Sequence, residues 1–382
     1  MKVLYLLNST KMVGSNISFI NLVKELSDKG VKSYIIYPDE KIDKVFKRKI
    51  SPYCEKMYSV PMKSHYHDSQ QNKIKKYIKG TRIYENLRFY PENKEVEKIV
   101  KLVNPDIIHT NVGVIQAGYK VSKKLNIPHI WHLREYQTKD FGWEIEPSKK
   151  AFIKRLNTCY TIAITEGIQQ YFQLNNSPRS KVIYNGCFSE KDTNFSFPKE
   201  KYFLCCSRVS PEKGHEEVIK AFAEFHKTHL DYKLLIAGFG TNEYLKELKK
   251  IAKTKNCADS IKFLGFRNDV RNLMDHAMAL IVASKFEGFG RMTAEAAFRG
   301  CMVIGHNTGG TKEILSKIGG YSYDNGIADL IDKMNEVAEL DESKYVYQAK
   351  MAQEKAVNIF SNEQSAKKIF EFYKQIMIKN KK

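Results

Sequence analysis

Residues 281–315, IVASKFEGFGRMTAEAAFRGCMVIGHNTGGTKEIL, leave room for few folds. The apolar run at 280–283 reads as a buried strand, and the loop after it, 285–290, holds one acid and two glycines. A helix beginning near Met292 stops at Gly300, a residue type at which helices commonly end. A second strand, 302–305, leads to Thr308-Gly309-Gly310 and another helix. Parallel sheets bind ligands outside the carboxyl ends of their strands, where both loops lie. The helix after Gly290 turns its N–H groups and positive dipole end to that place, which favours phosphate. Gly288 and Gly290 let the backbone come close to such a ligand. Glu287 in the loop and Glu295 in the helix do not suit phosphate, but carboxylates accept strongly from sugar hydroxyls. The plainer alternative is a solvated loop acid and an exposed helix acid.

With 382 residues, 42% of them hydrophobic, the chain can fill two cores of ordinary size. No apolar run approaches the ~18 residues of a membrane span. Residues 3–7 are too short for a signal-peptide core and read as a first strand. Cysteines at 54, 159, 187, 205, 206, 257 and 301 show neither metal-ligand spacing nor a disulfide ladder, which points to the cytosol. Net charge is +20, and residues 1–190 carry 32 Lys and Arg against 18 Asp and Glu. Such an excess suggests an anionic partner, whether nucleic acid, acidic lipid or phosphorylated substrate, or else a lysine-rich proteome.

Taken in order, strand 2–8, loop 9–15, helix 17–29 and strand 31–37 place Gly14 and Ser15 at a corner able to face phosphate. This is no G-x-G-x-x-G fingerprint. Between Lys73 and Tyr90, Lys73, Lys75, Lys76, Lys79, Arg82 and Arg88 alternate with apolar and aromatic residues. That pattern fits a surface-seeking helix or an ordinary amphipathic one. Strands at 105–109 and 127–132 follow, the second ending at His132 with Arg134 and Glu135 beyond. A histidine at a strand end is more often structural than catalytic. After strands 161–165 and 181–184 comes the Asn185-Gly186 turn, and the polar run 190–199 reads as a linker. Strand 202–207 opens a second half and ends in Ser207-Arg208-Val209-Ser210-Pro211-Glu212-Lys213-Gly214. Arg208 and Lys213 flank a tight turn and can converge on one anion at the head of the next helix. Further strands end at Gly238-Phe239-Gly240 and Gly265-Phe266-Arg267, and the chain is helical after Tyr323.

The run E-G-F-G-R-M-T-A-E-A, with G-C-M-V-I, G-G-T-K-E-I and the Arg208–Lys213 pair, resembles the signature of retaining glycosyltransferases of family 4. The resemblance implies the α/β GT-B fold, two doubly wound Rossmann-like domains facing across a cleft. Residues 1–190, completed by the last helix 363–382, would bind the acceptor, and 191–362 the nucleotide sugar. The implied reaction moves a sugar from a nucleotide diphosphate sugar, a UDP-sugar first, to a glycan, lipid-linked or protein acceptor in bacterial-type surface polysaccharide synthesis. Arg208 and Lys213 would neutralise the leaving diphosphate, Glu287 hold the sugar, Glu295 the ribose, and His132 close on the donor. Gly14, Ser15, Gly238, Phe266, Arg267, Gly288, Phe289, Gly290, Arg291, Met292 and Thr293 would complete the donor site. Family members often carry two glycines where this chain has Gly14 alone. They generally need no metal, and neither metal nor cofactor is expected here. A cytoplasmic enzyme is implied, peripheral on the inner membrane face if the basic stretch meets anionic lipid. The rival readings are a GT-B epimerase or phosphorylase and, from another class, a basic nucleic-acid-binding protein, for which no recognisable module is present.

Overall fold

The computed structural model describes residues 1–68 and 82–380. They form two compact units, Met1–Gly186 with Asn362–Lys382, and Cys187–Ser361. In the first unit the main strands are β1 (Lys2–Leu6), β2 (Lys32–Pro38), β3 (Lys56–Val60), β5 (Ile107–Thr110), β6 (His129–Leu133), β8 (Tyr160–Ala163) and β9 (Ser180–Val182). They make one parallel sheet in the order β3-β2-β1-β5-β6-β8-β9. A separate antiparallel pair joins β4 (Tyr66–Asp68) to β7 (Trp143–Ile145). Helices cover both faces of the parallel sheet, so β5 and β6 are buried at every position, their His and Thr residues included. One face packs on Phe19, Val23 and the Asn362–Asn380 helix through Ile369, Phe372, Tyr373 and Ile376. That core holds the end of the chain in the first unit.

The second unit has β10 (Glu200–Cys206), β11 (Lys233–Ala237), β12 (Ile261–Gly265), β13 (Ala277–Val282), β14 (Met302–His306) and β15 (Tyr321–Tyr323). Its sheet is parallel throughout, in the order β12-β11-β10-β13-β14-β15. The direction of winding reverses between β1 and β5 in one sheet and between β10 and β13 in the other. Crevices at such reversals are where doubly wound sheets take ligands. These are the two sheets of the GT-B fold.

The units divide at Gly186/Cys187 and Ser361/Asn362, whereas the sequence suggested 190/191 and 362/363. The reason is local: Cys187 N–H donates to Phe360 O, Phe188 bridges Ser361, and Ser189 caps a short 3-10 turn at Glu190–Asp192. Arg299 and Arg271 hold Asp192, so the polar run after Glu190 belongs to the second unit. Strands β3, β4, β7 and β15 were not foreseen, being edge or paired strands of five residues or fewer without an apolar run. Of the basic stretch, Lys73, Lys75, Lys76 and Lys79 lie outside the described residues. Phe89 is buried and stacked on His65, and Arg88 pairs with buried Glu146, so neither is available to lipid. Tyr90 is exposed.

Candidate functional site

The loop after β10 and the loop after β13 meet backbone to backbone. Gly214 has φ 74° and sits so close to the end of β13 that a Cβ would lie 2.1 Å from Ala283 O. Only glycine tolerates both demands. Lys285 N–H donates to Glu212 O at 3.0 Å, tying the two loops a second time. The loop after β14 packs in the same way: Gly310 N–H donates to Glu287 O at 2.7 Å, and a Cβ on Gly310 would lie 2.1 Å from Phe289 O. On the other side Val209 N–H donates to Phe239 O, and Gly238 N–H to Gly265 O. Main chain therefore fixes the loops at the ends of β10, β11, β12, β13 and β14 as one surface.

Three helices begin on it, His215–Phe225, Arg291–Phe298 and Gly309–Ile318, and no side chain caps the start of any of them. By contrast Thr241 caps the Asn242–Thr254 helix. Helix starts without a side-chain acceptor leave N–H groups for an outside anion, although at the third of them Gly310 N–H is already taken by Glu287 O.

Lys213 Nζ donates to Glu287 Oε1 at 2.5 Å, and Ser284 Oγ donates to the same oxygen at 2.6 Å. Both residues of this ion pair keep about a fifth of their side-chain surface, at 18% and 21%. Arg208 is exposed, and its guanidinium lies along Ser210 and Glu212. The two cations flank the turn, as expected, but each rests on a different carboxylate. Glu295 is buried and pairs with Arg291, whose Nη2 also donates to Cys187 O at 2.7 Å. Burial pushes the Glu295 carboxyl up, against the pull of Arg291. Met292 is half-buried, and Thr293 is buried with no partner for its hydroxyl. Gly288 and Gly290 lie in the loop, Gly290 at φ 83°. Phe266 and Phe239 are both exposed, with rings stacked at 5.0 Å and 7°. Arg267 pairs with Asp269.

In the first unit Gly14 starts the Gly14–Ser27 helix, and Ser15 is half-buried beside it. The amide of Asn16 donates to Ser9 O and Lys11 O, which holds the loop after β1. His132 lies one residue before the end of β6 and is buried. Its Nδ1 meets His109 Nε2 at 3.2 Å, while Nε2 has no partner. Burial, with Arg134 nearby, holds the imidazole well below its usual pKa, so it is neutral. Arg134 grips Asn111 O and Oδ1 and the side chain of Asn185, joining the ends of β5, β6 and β9.

Sequence reasoning missed Ser284, Asn111 and His109. Ser284 carried a signal, a hydroxyl at a strand end three residues before an acid. Asn111 and His109 carried none, since their partners are remote in sequence. Among the described residues no group of three or more His, Cys, Asp and Glu could hold a metal ion. None of the described helices is long and apolar enough to cross a membrane.

The family described as "Glycosyl transferases group 1" matches residues 188–355. The alpha-monoglucosyldiacylglycerol synthase of Streptococcus pneumoniae is 31% identical over 317 residues, 74% of this chain and 69% of that protein. The O-antigen biosynthesis glycosyltransferase WclY of Escherichia coli is 24% identical over 318 residues, 80% of each chain. Among solved structures, Anabaena Alr3699/HepE in complex with UDP superposes with a TM-score of 0.80 at 22% identity. That likeness covers 98% of this chain and 100% of the other.

Proposed function

We propose, on the premise that the chain belongs to the glycosyl transferases group 1 family, that it transfers a sugar from a UDP-sugar with retained anomeric configuration. The acceptor is a glycan or lipid-linked glycan in surface polysaccharide synthesis. The observation carrying this is the interlock of Lys213 and Glu287 where the loops after β10 and β13 meet, beside helix starts that lack side-chain caps. UDP in the similar HepE structure supports the base, and WclY and the diacylglycerol synthase support a glycan or lipid acceptor.

In this reading the diphosphate takes the helix N–H groups. Lys213 and Arg208 supply the positive charge that grows in value as the anomeric bond to the diphosphate breaks. Arg208 gives up only an exposed contact with Glu212 to do so, which costs little. Both contacts to Glu287 land on Oε1, which suits Oε2 to a sugar hydroxyl. Glu295, held by Arg291, takes the ribose, and the Phe239–Phe266 face with Arg267 lies by the base. No metal enters the scheme, and turnover in excess chelator checks that.

The test is incubation with a panel of nucleotide sugars, with and without lipid-linked and soluble glycans. Release of UDP that depends on an acceptor, with the α-linked product from an α-linked donor, is expected. Conversion of donor alone would mean an epimerase, and product of inverted configuration would remove the retaining assignment. Glu287→Gln should weaken UDP-sugar more than UDP, and Glu295→Gln should weaken both. Gln is preferred at 295 because Ala would leave Arg291 buried without its partner, at a cost of about 3–5 kcal/mol.

A further inference from the structure

Four buried polar side chains of the first unit form a chain of contacts that the transfer reaction does not by itself explain. Tyr5 OH lies 3.4 Å from Tyr373 OH, Tyr373 OH 2.5 Å from His109 Nδ1, and His109 Nε2 3.2 Å from His132 Nδ1. Tyr5, His109 and Tyr373 have no exposed surface, and His132 keeps 2%. The chain ends at His132 Nε2, buried and without a partner.

A neutral imidazole has one N–H and one lone pair, so each contact fixes the next. The direction is set at Arg134, whose Nη2 lies 3.5 Å from His132 Nδ1. A guanidinium is a cation that only donates, so an N–H on Nδ1 would face it; Nδ1 therefore bears the lone pair, which is spent on His109, and Nε2 the proton. His109 must then donate from Nε2, leaving its Nδ1 to accept from Tyr373. Tyr373 has spent its only proton there, so Tyr5 donates to it. We propose that Tyr373, near the end of the chain, is a positioning residue: acting through His109, it holds His132 as the Nε2–H tautomer. A neutral N–H donor is thereby presented at the end of β6. Resting on the proposed function, the group it serves is an oxygen acceptor on a substrate of the transfer. His132 is then neither a base nor a cation in the reaction.

Tyr373→Phe removes the donor to His109. The His109 ring is then free to reverse, and with it His132, whose Nε2 would become an acceptor facing an acceptor. Long-range 1H–15N spectra of the ligand-free full chain, labelled in histidine, read the tautomers directly, with His132 assigned by its loss in His132→Gln. The expected wild-type result is a protonated Nε2 on both His109 and His132. Either ring protonated at Nδ1 overturns the proposal with no variant needed. In Tyr373→Phe, His132 should become a mixture of tautomers, and kcat should fall roughly tenfold, the weight of one hydrogen bond. KM for the acceptor and the far-ultraviolet circular dichroism should not change. Tyr5→Phe leaves the Tyr373 proton in place and should leave the tautomer as it was. An unchanged His132 tautomer in Tyr373→Phe overturns the role of Tyr373. Absence of transfer from every nucleotide sugar would remove the proposed function, while the spectra would still decide the tautomer.

Discussion

In the second unit the loops after β10, β13 and β14 are joined by main chain: Lys285 N–H to Glu212 O, Gly310 N–H to Glu287 O, Gly214 against Ala283. In the first unit the ends of β5, β6 and β9 are joined by side chains, with Arg134 on Asn111 and Asn185, and His109 between His132 and Tyr373. The charges differ in the same sense. Arg208 is open to solvent and the Lys213–Glu287 pair is partly so, whereas His109 and His132 are buried and neutral. A main-chain frame places exposed charges that can exchange partners when a charged ligand arrives. A side-chain frame places one neutral group whose proton is set by its neighbours.

If the second unit depends on backbone contact, its glycines should be the least replaceable residues. Gly214→Ala would put a Cβ 2.1 Å from Ala283 O at a residue with φ 74°, and should cost about 2–5 kcal/mol. Gly30 of the first unit has a similar φ, 77°, with nothing within 4 Å, so Gly30→Ala should cost only about 1–2 kcal/mol. Urea unfolding of both variants measures the contrast, and equal losses would break it.

Lys213→Ala should lower turnover by roughly 10²–10³ without changing far-ultraviolet circular dichroism, as should Arg208→Ala. Near-normal kcat in either would take the diphosphate role from that residue.

Acid should loosen the first unit before the second. Burial holds His65, His109 and His132 well below the usual value and His129 down to about 3. The unfolded chain then binds more protons than the folded one below about pH 6.5, so stability is lost as pH falls, by at most about 1.4 kcal/mol per group per unit. Glu92 and Glu135, pushed up to about 7 by burial, and Glu25, also raised by burial, act oppositely and lose stability as pH rises toward 7. Four histidines outweigh three carboxyls between about pH 4.5 and 6.5. In the second unit His215, at about 4, is opposed by Glu217 and Glu295, both raised by burial. Hydrogen exchange at pH 7 and 5.5, corrected for intrinsic rates, should show first-unit strands losing protection. Earlier opening of β10–β14 would contradict this.

The smallest effect concerns the membrane. Lys73, Lys75, Lys76 and Lys79 could each add ~1 kcal/mol at an anionic surface, and changing all to Ser should abolish salt-sensitive cosedimentation with anionic vesicles. Nucleotide affinity should be untouched. Wild-type protein that ignores such vesicles at low salt would make this stretch ordinary surface.

The same contrast explains what could be read from the sequence. Backbone contact demands glycine at fixed spacing from strand ends, so Lys213-Gly214 and Gly288 to Gly310 announced both the fold and one face of the candidate site. Ile107-Ile108 and Ile130-Trp131 likewise marked β5 and β6 as short buried strands. Nothing local marks Tyr373 as the partner of His109, 264 residues away, or Asn185 as the partner of Arg134. The separate carboxylates of Arg208 and Lys213 were hidden for the same reason, because a tight turn allows convergence but does not choose it.

The account turns on the second unit's strand-end surface as the nucleoside diphosphate site. Calorimetric titration of the full chain with UDP tests it most directly, beside Lys213→Ala under the same conditions. One UDP per chain in the wild type, with binding weakened by about 1.5–3 kcal/mol when the Lys213 charge-assisted contact is removed, is the predicted result. Saturable binding that Lys213→Ala leaves unchanged, or no heat with UDP, GDP or ADP, would contradict it.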